Sequence, residues 1–201
     1  MPRLKGRKLM NHISVRYSLI GVMVLSVLSL NPCLAGDSKA PDFTLGNLTG
    51  KDVTLSQLLT KGPVILDFWA TWCRPCIQGF PGLQELLDKY KERGLTVVAI
   101  SVDGPKSRAR VAPFIYSKKY GFEVLLDTQG RVARKYNASA IPRTVLISPE
   151  GEIAYATVGY RPSNHEQIEK ELIPLLPGVD AEGGEVVEWC FLEFSPFCLL
   201  S

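Results

Sequence analysis

Histidine and methionine are nearly missing from this chain: of its 201 residues, two are histidine (His12 and His165) and three are methionine, all within the first 23 positions. Soft and borderline metal ions are held by clusters of such side chains, so a metal-binding or metal-delivery module using cysteine ligands has little else to build on. Long apolar runs are scarce too. The most apolar stretch, Tyr17 to Leu30, is about fourteen residues, against roughly twenty for a helix that spans a bilayer. No acid precedes Asp37, and no internal repeat or low-complexity tract follows.

The formal net charge of +3 comes from Arg3, Lys5, Arg7, Lys8 and Arg16, and without these five cations residues 36–201 carry 18 basic and 20 acidic groups, net −2. Arg108/Arg110 and Lys118/Lys119 read as solvated faces, so no nucleic-acid partner is expected.

The cations followed by an apolar run, Pro32 and then Cys33-Leu34-Ala35-Gly36 have the layout of an export signal over residues 1–35, cut after Ala35, with a retained anchor as the alternative. Leu30-Asn31-Pro32 lacks the small residues expected ahead of a lipidated Cys33. The expected location is therefore the periplasm or the extracytoplasmic face of the membrane. One catalytic domain over residues 40–176 follows, then a linker and apolar tail over 177–201, and a monomer is expected. Glu188, Glu193 and Pro196 argue against a membrane-crossing tail.

Asp42 to Leu48 and Lys51 to Leu55 flank Thr49-Gly50 as an N-terminal hairpin, and Thr54-x-x-Gln57 has the form of a capping box opening a short helix. Val64 to Ala70 is a nearly continuous apolar run of buried-strand type. A helix follows Cys73, with Pro81 predicting a kink and Gly94 a stop. Thr96 to Val102 (strand), Ala109 to Tyr120 (helix), Phe122 to Leu126 (strand) and Arg131 to Asn137 (helix) continue the alternation. Thr144 to Ser148 and Ile153 to Val158 surround Pro149-Glu150-Gly151, and a Ser163-x-x-Glu166 box opens a last helix. This order predicts an α/β fold with a central mixed sheet flanked by helices.

Four cysteines remain after the signal: Cys73, Cys76, Cys190 and Cys198. They allow three pairings, and the close spacing of Cys73 and Cys76 favours their mutual pairing as a redox-active disulfide. A thiol where a buried strand gives way to a helix gains exposure, helix N-terminal N–H groups and a second thiol one turn away, all favouring the Cys73 thiolate. Cys73 is expected to attack a substrate disulfide and Cys76 to resolve the mixed disulfide from a more buried position. Arg74 adds a cation, Pro75 suits the first helical turn, and Trp72, Arg74 and Pro75 are candidate substrate contacts. A zinc half-site is the competing reading, with only Cys190, Cys198 and His165 to complete it. Asp67, in the strand beneath the pair, is expected to be buried with a raised pKa and to exchange the Cys76 proton. Ile141-Pro142 stands just before a strand, and an ordinary X-Pro bond there is trans.

With Phe68-Trp69-Ala70-Thr71-Trp72-Cys73-Arg74-Pro75-Cys76, Pro81 and Ile141-Pro142, the sequence resembles the thioredoxin superfamily, most closely its exported TlpA- and ResA-like branch, over roughly Ala40 to Leu176. The resemblance implies a thioredoxin fold with an N-terminal hairpin and an inserted helix and strand. It also implies a cis Pro142 against the disulfide, and a substrate segment docking at the Ile141 backbone beside Arg143. It further implies reduction of disulfides in exported proteins, cytochrome c maturation among them, recharging by a membrane electron donor, and no cofactor. Three positions depart from the branch. Gly79 stands where glutamate is usual, Asp67 where asparagine is common, and Arg143 where threonine is frequent. A thiol peroxidase would want a threonine three residues before its cysteine, whereas Thr71 is two before Cys73. Cys190 and Cys198 are expected to form a structural disulfide.

Overall fold

The computed structural model describes residues 39–177. The export signal, Cys33, the Cys190–Cys198 pairing and the apolar tail lie outside the described residues. Within them run β1 (Thr44–Gly46), β2 (Asp52–Thr54), α1 (Leu55–Leu59), β3 (Val64–Trp69), α2 (Arg74–Tyr90), β4 (Thr96–Ser101), α3 (Val111–Lys118), β5 (Glu123–Leu126), α4 (Arg131–Lys135), β6 (Arg143–Ile147), β7 (Ile153–Val158) and α5 (Asn164–Leu172).

The central sheet has the order β5-β4-β3-β6-β7. β3, β4 and β5 are mutually parallel, whereas β6 runs antiparallel to both β3 and β7. β3 lies in the middle and all six of its residues are buried, which explains its unbroken apolar composition.

Because side chains alternate along a strand, β3 feeds two cores. Val64, Leu66 and Phe68 pack with Val98, Ile100 and Tyr136 on one face. Ile65 and Trp69 pack with Phe80, Leu83 and Ile168 on the face covered by α2 and α5. Asp67 is the residue between Ile65 and Trp69, so the same alternation aims a carboxylate at the α2 face. Trp69 stacks edge-on to Phe80 with centroids 4.8 Å apart, and Phe80 meets Phe122 at 5.1 Å. Each large side chain so enclosed contributes about 1.5–3 kcal/mol, and Trp69→Ala would remove ~3–5 kcal/mol.

β1 and β2 pair antiparallel around a turn in which Asn47 Oδ1 accepts from the Thr49 and Lys51 amides and the Thr49 hydroxyl. The Asn47 amide donates to Glu123 at 3.0 Å, laying the hairpin along the outer edge of β5, where it covers ladder groups an edge strand leaves unpaired.

Both expected capping boxes are absent. Thr54 occupies the N-cap of α1, but its hydroxyl pairs with the Thr44 hydroxyl, and Asp42 Oδ1 accepts from the Ser56 amide instead. Ser163 at the N-cap of α5 makes no side-chain cap bond, because its backbone is helical rather than extended and the hydroxyl is not aimed along the axis. Pro81 lies inside a continuous α2. A single 3₁₀ turn at Lys91–Arg93 follows and ends on Gly94 in the left-handed region. There Gly94 abuts Gly62 so closely that a Cβ on Gly62 would lie 2.8 Å from the Gly94 carbonyl oxygen.

Candidate active site

β3 ends at Trp69, and after three intervening residues the chain enters α2 with Cys73 as its N-cap. Cys73 and Cys76 are joined by a disulfide, and Cys73 Sγ accepts the Cys76 backbone N–H at 3.3 Å. The first thiol thus sits where unpaired helix N–H groups and the helix dipole favour negative charge. Arg74 and Pro75 form the first turn, with Pro75 where a missing N–H costs nothing. Trp72 projects beside the pair, 65% exposed. Cys73 is less open than expected: it is 5% exposed and Cys76 1%, since the disulfide draws both sulfurs into the turn. The predicted ranking, with Cys76 the deeper, is retained.

The Ile141-Pro142 peptide is cis, as the resemblance implied and contrary to the trans default. Pro142 is buried and its carbonyl accepts from Gly159 N at 2.8 Å. Ile141 is half-buried and packs against both cores. Arg143 opens β6 opposite Phe68, on the sheet face away from Asp67. Its Nε is buried and has no hydrogen-bond partner among the described residues.

Among the described residues Asp67 accepts a single hydrogen bond, 2.7 Å from the Thr144 hydroxyl, and it is sealed from solvent. Burial pushes its pKa up to about 7, with the Thr144 bond pulling the other way. Asp67 and Cys76 wall one small cavity of about 20 Å³, closed by Pro142, Thr144, Tyr160 and His165. Space of that order admits one water.

Asp103 was not anticipated. It lies just past the C-terminal end of β4, accepts the Thr71 amide at 2.8 Å and the Thr71 hydroxyl at 2.7 Å, and takes a third bond from Ser101 Oγ at 3.0 Å. These bonds pin the segment that delivers Trp72 and Cys73. The available signal was an acid immediately beyond a buried parallel strand, where α/β folds place functional groups. Tyr160 and His165 were missed as cavity walls as well. Cys73, Cys76, Asp67 and Pro142 therefore come together, as do Trp72, Arg74 and Pro75 at the rim, while Arg143 turns from the cavity.

Residues 37–156 match the AhpC/TSA family. The thiol-disulfide oxidoreductase ResA of Bacillus subtilis (strain 168) is 39% identical over 124 residues, 61% of this chain and 66% of that protein. ResA of Geobacillus kaustophilus is 35% identical over 146 residues, 72% of this chain and 80% of that one. A crystal structure from Chlorobium tepidum, provisionally named thiol:disulfide interchange protein DsbE, superposes with a TM-score of 0.63 at 36% identity over 69% of this chain and 95% of that chain. StoA from Bacillus subtilis superposes at 0.55 with 25% identity, over 67% and 98%. The strand order and flanking helices are those of a thioredoxin fold.

Proposed function

The chain belongs to the AhpC/TSA family and is a thiol–disulfide oxidoreductase of the ResA type, and from that premise we propose that it reduces disulfides of exported proteins through a Cys73/Cys76 dithiol. The observation that carries this reading is Cys73 at the mouth of α2, with Cys76 one turn behind it against the Asp67 cavity. The Cys73 thiolate attacks one sulfur of a substrate disulfide and expels the other as thiolate. Asp67 takes the proton of the Cys76 thiol, and the Cys76 thiolate attacks Cys73 Sγ, releasing the second substrate thiolate and closing the disulfide. A membrane electron donor returns the pair to the dithiol.

Trp72, Arg74 and Pro75 on one side of the sulfurs and Ile141 and Pro142 on the other form the docking rim, with an extended substrate segment pairing to the Ile141 backbone. The location is the periplasm or extracytoplasmic face, reached through the signal over residues 1–35. Among the described residues no helix is long and apolar enough to cross a membrane. Gly79 and Asp67 depart from the branch's usual residues, so the substrate class is exported disulfide proteins in general rather than cytochrome c maturation alone. A peroxidase mechanism is not favoured, because the Thr71 hydroxyl is committed to Asp103.

The midpoint potential of the couple tests the direction. A value near thioredoxin's, about −270 mV, supports a reductant, and one near DsbA's, about −120 mV, overturns it. A Cys76→Ser variant should trap substrates as mixed disulfides on Cys73. N-terminal sequencing of the exported protein should begin at Gly36.

A further inference from the structure

Charge is unevenly divided along this chain. Residues 39–177 hold 18 basic and 14 acidic side chains, net +4, whereas residues 178–201 hold Asp180, Glu182, Glu185, Glu188 and Glu193 with no base, net −5. That acidic stretch also carries Trp189, Phe191, Phe194 and Phe197 together with Cys190 and Cys198.

Within the fold the cations gather at one end. β3, β4 and β5 run parallel, with β6 reversed and β7 reversed again, so segments 70–73, 102–110, 127–130, 136–142 and 159–163 meet at the end of the sheet that presents the disulfide. Arg74, Lys106, Arg108, Arg110, Arg131 and Arg161 are exposed in or directly beside these segments, and no exposed acid accompanies them there. The two acids in the segments are buried and already supplied with donors: Asp103 by Thr71 and Ser101, Asp127 by the Arg131 and Ala133 amides. Glu166, in the first turn of α5, shares its groove with Arg161 and Lys170. The ion pair among the described residues, Lys89–Glu169, involves none of the six. At the opposite end the signs are mixed, with Lys91, Glu92 and Arg93 on one turn and Glu150 and Glu152 on another. Exposed apolar surface joins the cations: Trp72 stands beside the sulfurs, and Val158, 48% exposed, precedes the Gly159 amide that donates to the Pro142 carbonyl.

We propose that the acidic tail of this chain docks on this basic face in cis, and that Cys190 and Cys198 are a second redox pair in disulfide exchange with Cys73 and Cys76. The proposal rests on the dithiol reading above and names one substrate of that site. Opposite charge steers the two together and fixes register: Glu188 and Glu193 flank Cys190 as the cations surround Cys73, and the tail's aromatic side chains match Trp72. Reach is sufficient. Pro177 lies by Arg93, past the C-terminus of α2, so the 17-residue helix separates it from Cys73 by ~26 Å. The segment from Pro177 to Cys190, fully extended, reaches ~43 Å.

The exchange balances without any other reagent. The Cys73 thiolate attacks Cys190 Sγ of the Cys190–Cys198 disulfide, the Cys73–Cys190 bond forms, and Cys198 leaves as thiolate. Cys76, its proton taken by Asp67, then attacks Cys73 Sγ and expels the Cys190 thiolate. Two electrons pass from the Cys73/Cys76 pair to the tail, and the two protons lost by the first dithiol are matched by two taken up from solvent on the second. The tail dithiol thereby carries reducing equivalents outward from sulfurs that are 5% and 1% exposed in the oxidised pair.

The test is peptide mapping of the exported Cys76→Ser chain, acid-quenched, alkylated and digested without reductant. A Cys73–Cys190 linked peptide with alkylated Cys198 is expected from monomeric chains, and reduced glutathione should compete for the link only at concentrations of about mM order. Salt at about 0.5 M should lower that concentration by ~3–10-fold, and Glu188→Gln with Glu193→Gln by ~2–3-fold. An intact Cys190–Cys198 peptide beside alkylated Cys73 overturns the exchange. A link found solely between two chains, or one indifferent to salt, overturns docking in cis on the basic face. The dithiol reading is checked separately in Cys190→Ser/Cys198→Ser by stopped-flow reaction of the reduced chain with dithiobis-nitrobenzoate, in which the first aryl thiolate reports attack by Cys73 and the second reports resolution by Cys76. Two phases there, with no Cys73–Cys190 link in the mapping, overturn the tail's role and leave the dithiol reading standing; loss of the second phase overturns both.

Discussion

Asp67 and Asp103 stand near the active-site ends of the neighbouring strands β3 and β4, both sealed from solvent, yet they are supplied with donors very differently. Asp67 receives one hydrogen bond, from Thr144. Asp103 receives the Thr71 amide, the Thr71 hydroxyl and the Ser101 hydroxyl. For Asp67 burial dominates and lifts the pKa to about 7. For Asp103 burial also pushes upward, but hydrogen bonds from Thr71, Ser107 and Ser101 together outweigh it and hold the carboxyl below its ordinary range. Burial alone does not decide whether a carboxyl stores a proton or anchors a loop; the number of donors aimed at it does.

The two therefore bend the pH dependence of stability in opposite directions. Asp67, raised above its unfolded value of 3.8, favours the fold fully below about pH 4, and this is lost as pH rises through about 7. Asp103, lowered, contributes stability present above about pH 4 and lost as pH falls through its folded value. From these two groups the oxidised protein should be most stable near pH 4.

Asp67→Asn breaks the contrast most severely. Resolution of the mixed disulfide should slow by ~100-fold near neutrality, within the usual range for a lost general base. In urea titrations the wild type should lose up to ~4 kcal/mol between pH 4 and 8, a slope the variant lacks. A variant that resolves at the wild-type rate removes the proton relay.

Asp103→Ala strikes the other side, leaving the Thr71 amide, the Thr71 hydroxyl and the Ser101 hydroxyl without their acceptor. It should cost ~3 kcal/mol by urea unfolding and abolish its share of the stability lost at acid pH, with the pH midpoint of resolution unmoved. Thr144→Val sharpens the comparison by withdrawing the donor that Asp67 has among the described residues. The acid limb of resolution should move up by ~1 unit, seen in the second aryl-thiolate phase. The smallest effect belongs to Ser101→Ala, ~1 kcal/mol, because Asp103 keeps both bonds from Thr71; a larger loss would mean the three donors act as one network.

Much of this was open to reading from the chain. The run Val64 to Ala70 announced a buried strand, and Asp67 stood out because a carboxylate interrupted it. The Cys73/Cys76 spacing placed the dithiol at a strand-to-helix junction. Less legible were the helix caps. Thr54-x-x-Gln57 and Ser163-x-x-Glu166 had the right letters, but the hydroxyl of Thr54 found Thr44 across the hairpin and Ser163 took a helical backbone. Asp103 passed unnoticed because its one local mark, an acid just past a buried strand, is shared by many solvated loop acids, and its donors at Thr71 lie 32 residues away.

From the linear chain alone came what depends on period and spacing: the alternation along β3 that turns Ile65, Asp67 and Trp69 to one face, and the two thiols one helical turn apart. Only the folded molecule settled which partners reach each acid. Thr144 lies 77 residues from Asp67 and Thr71 lies 32 from Asp103. Strand register and helix packing bring these groups together, and since a buried carboxyl takes its charge from the donors around it, that charge is a property of the assembled interior.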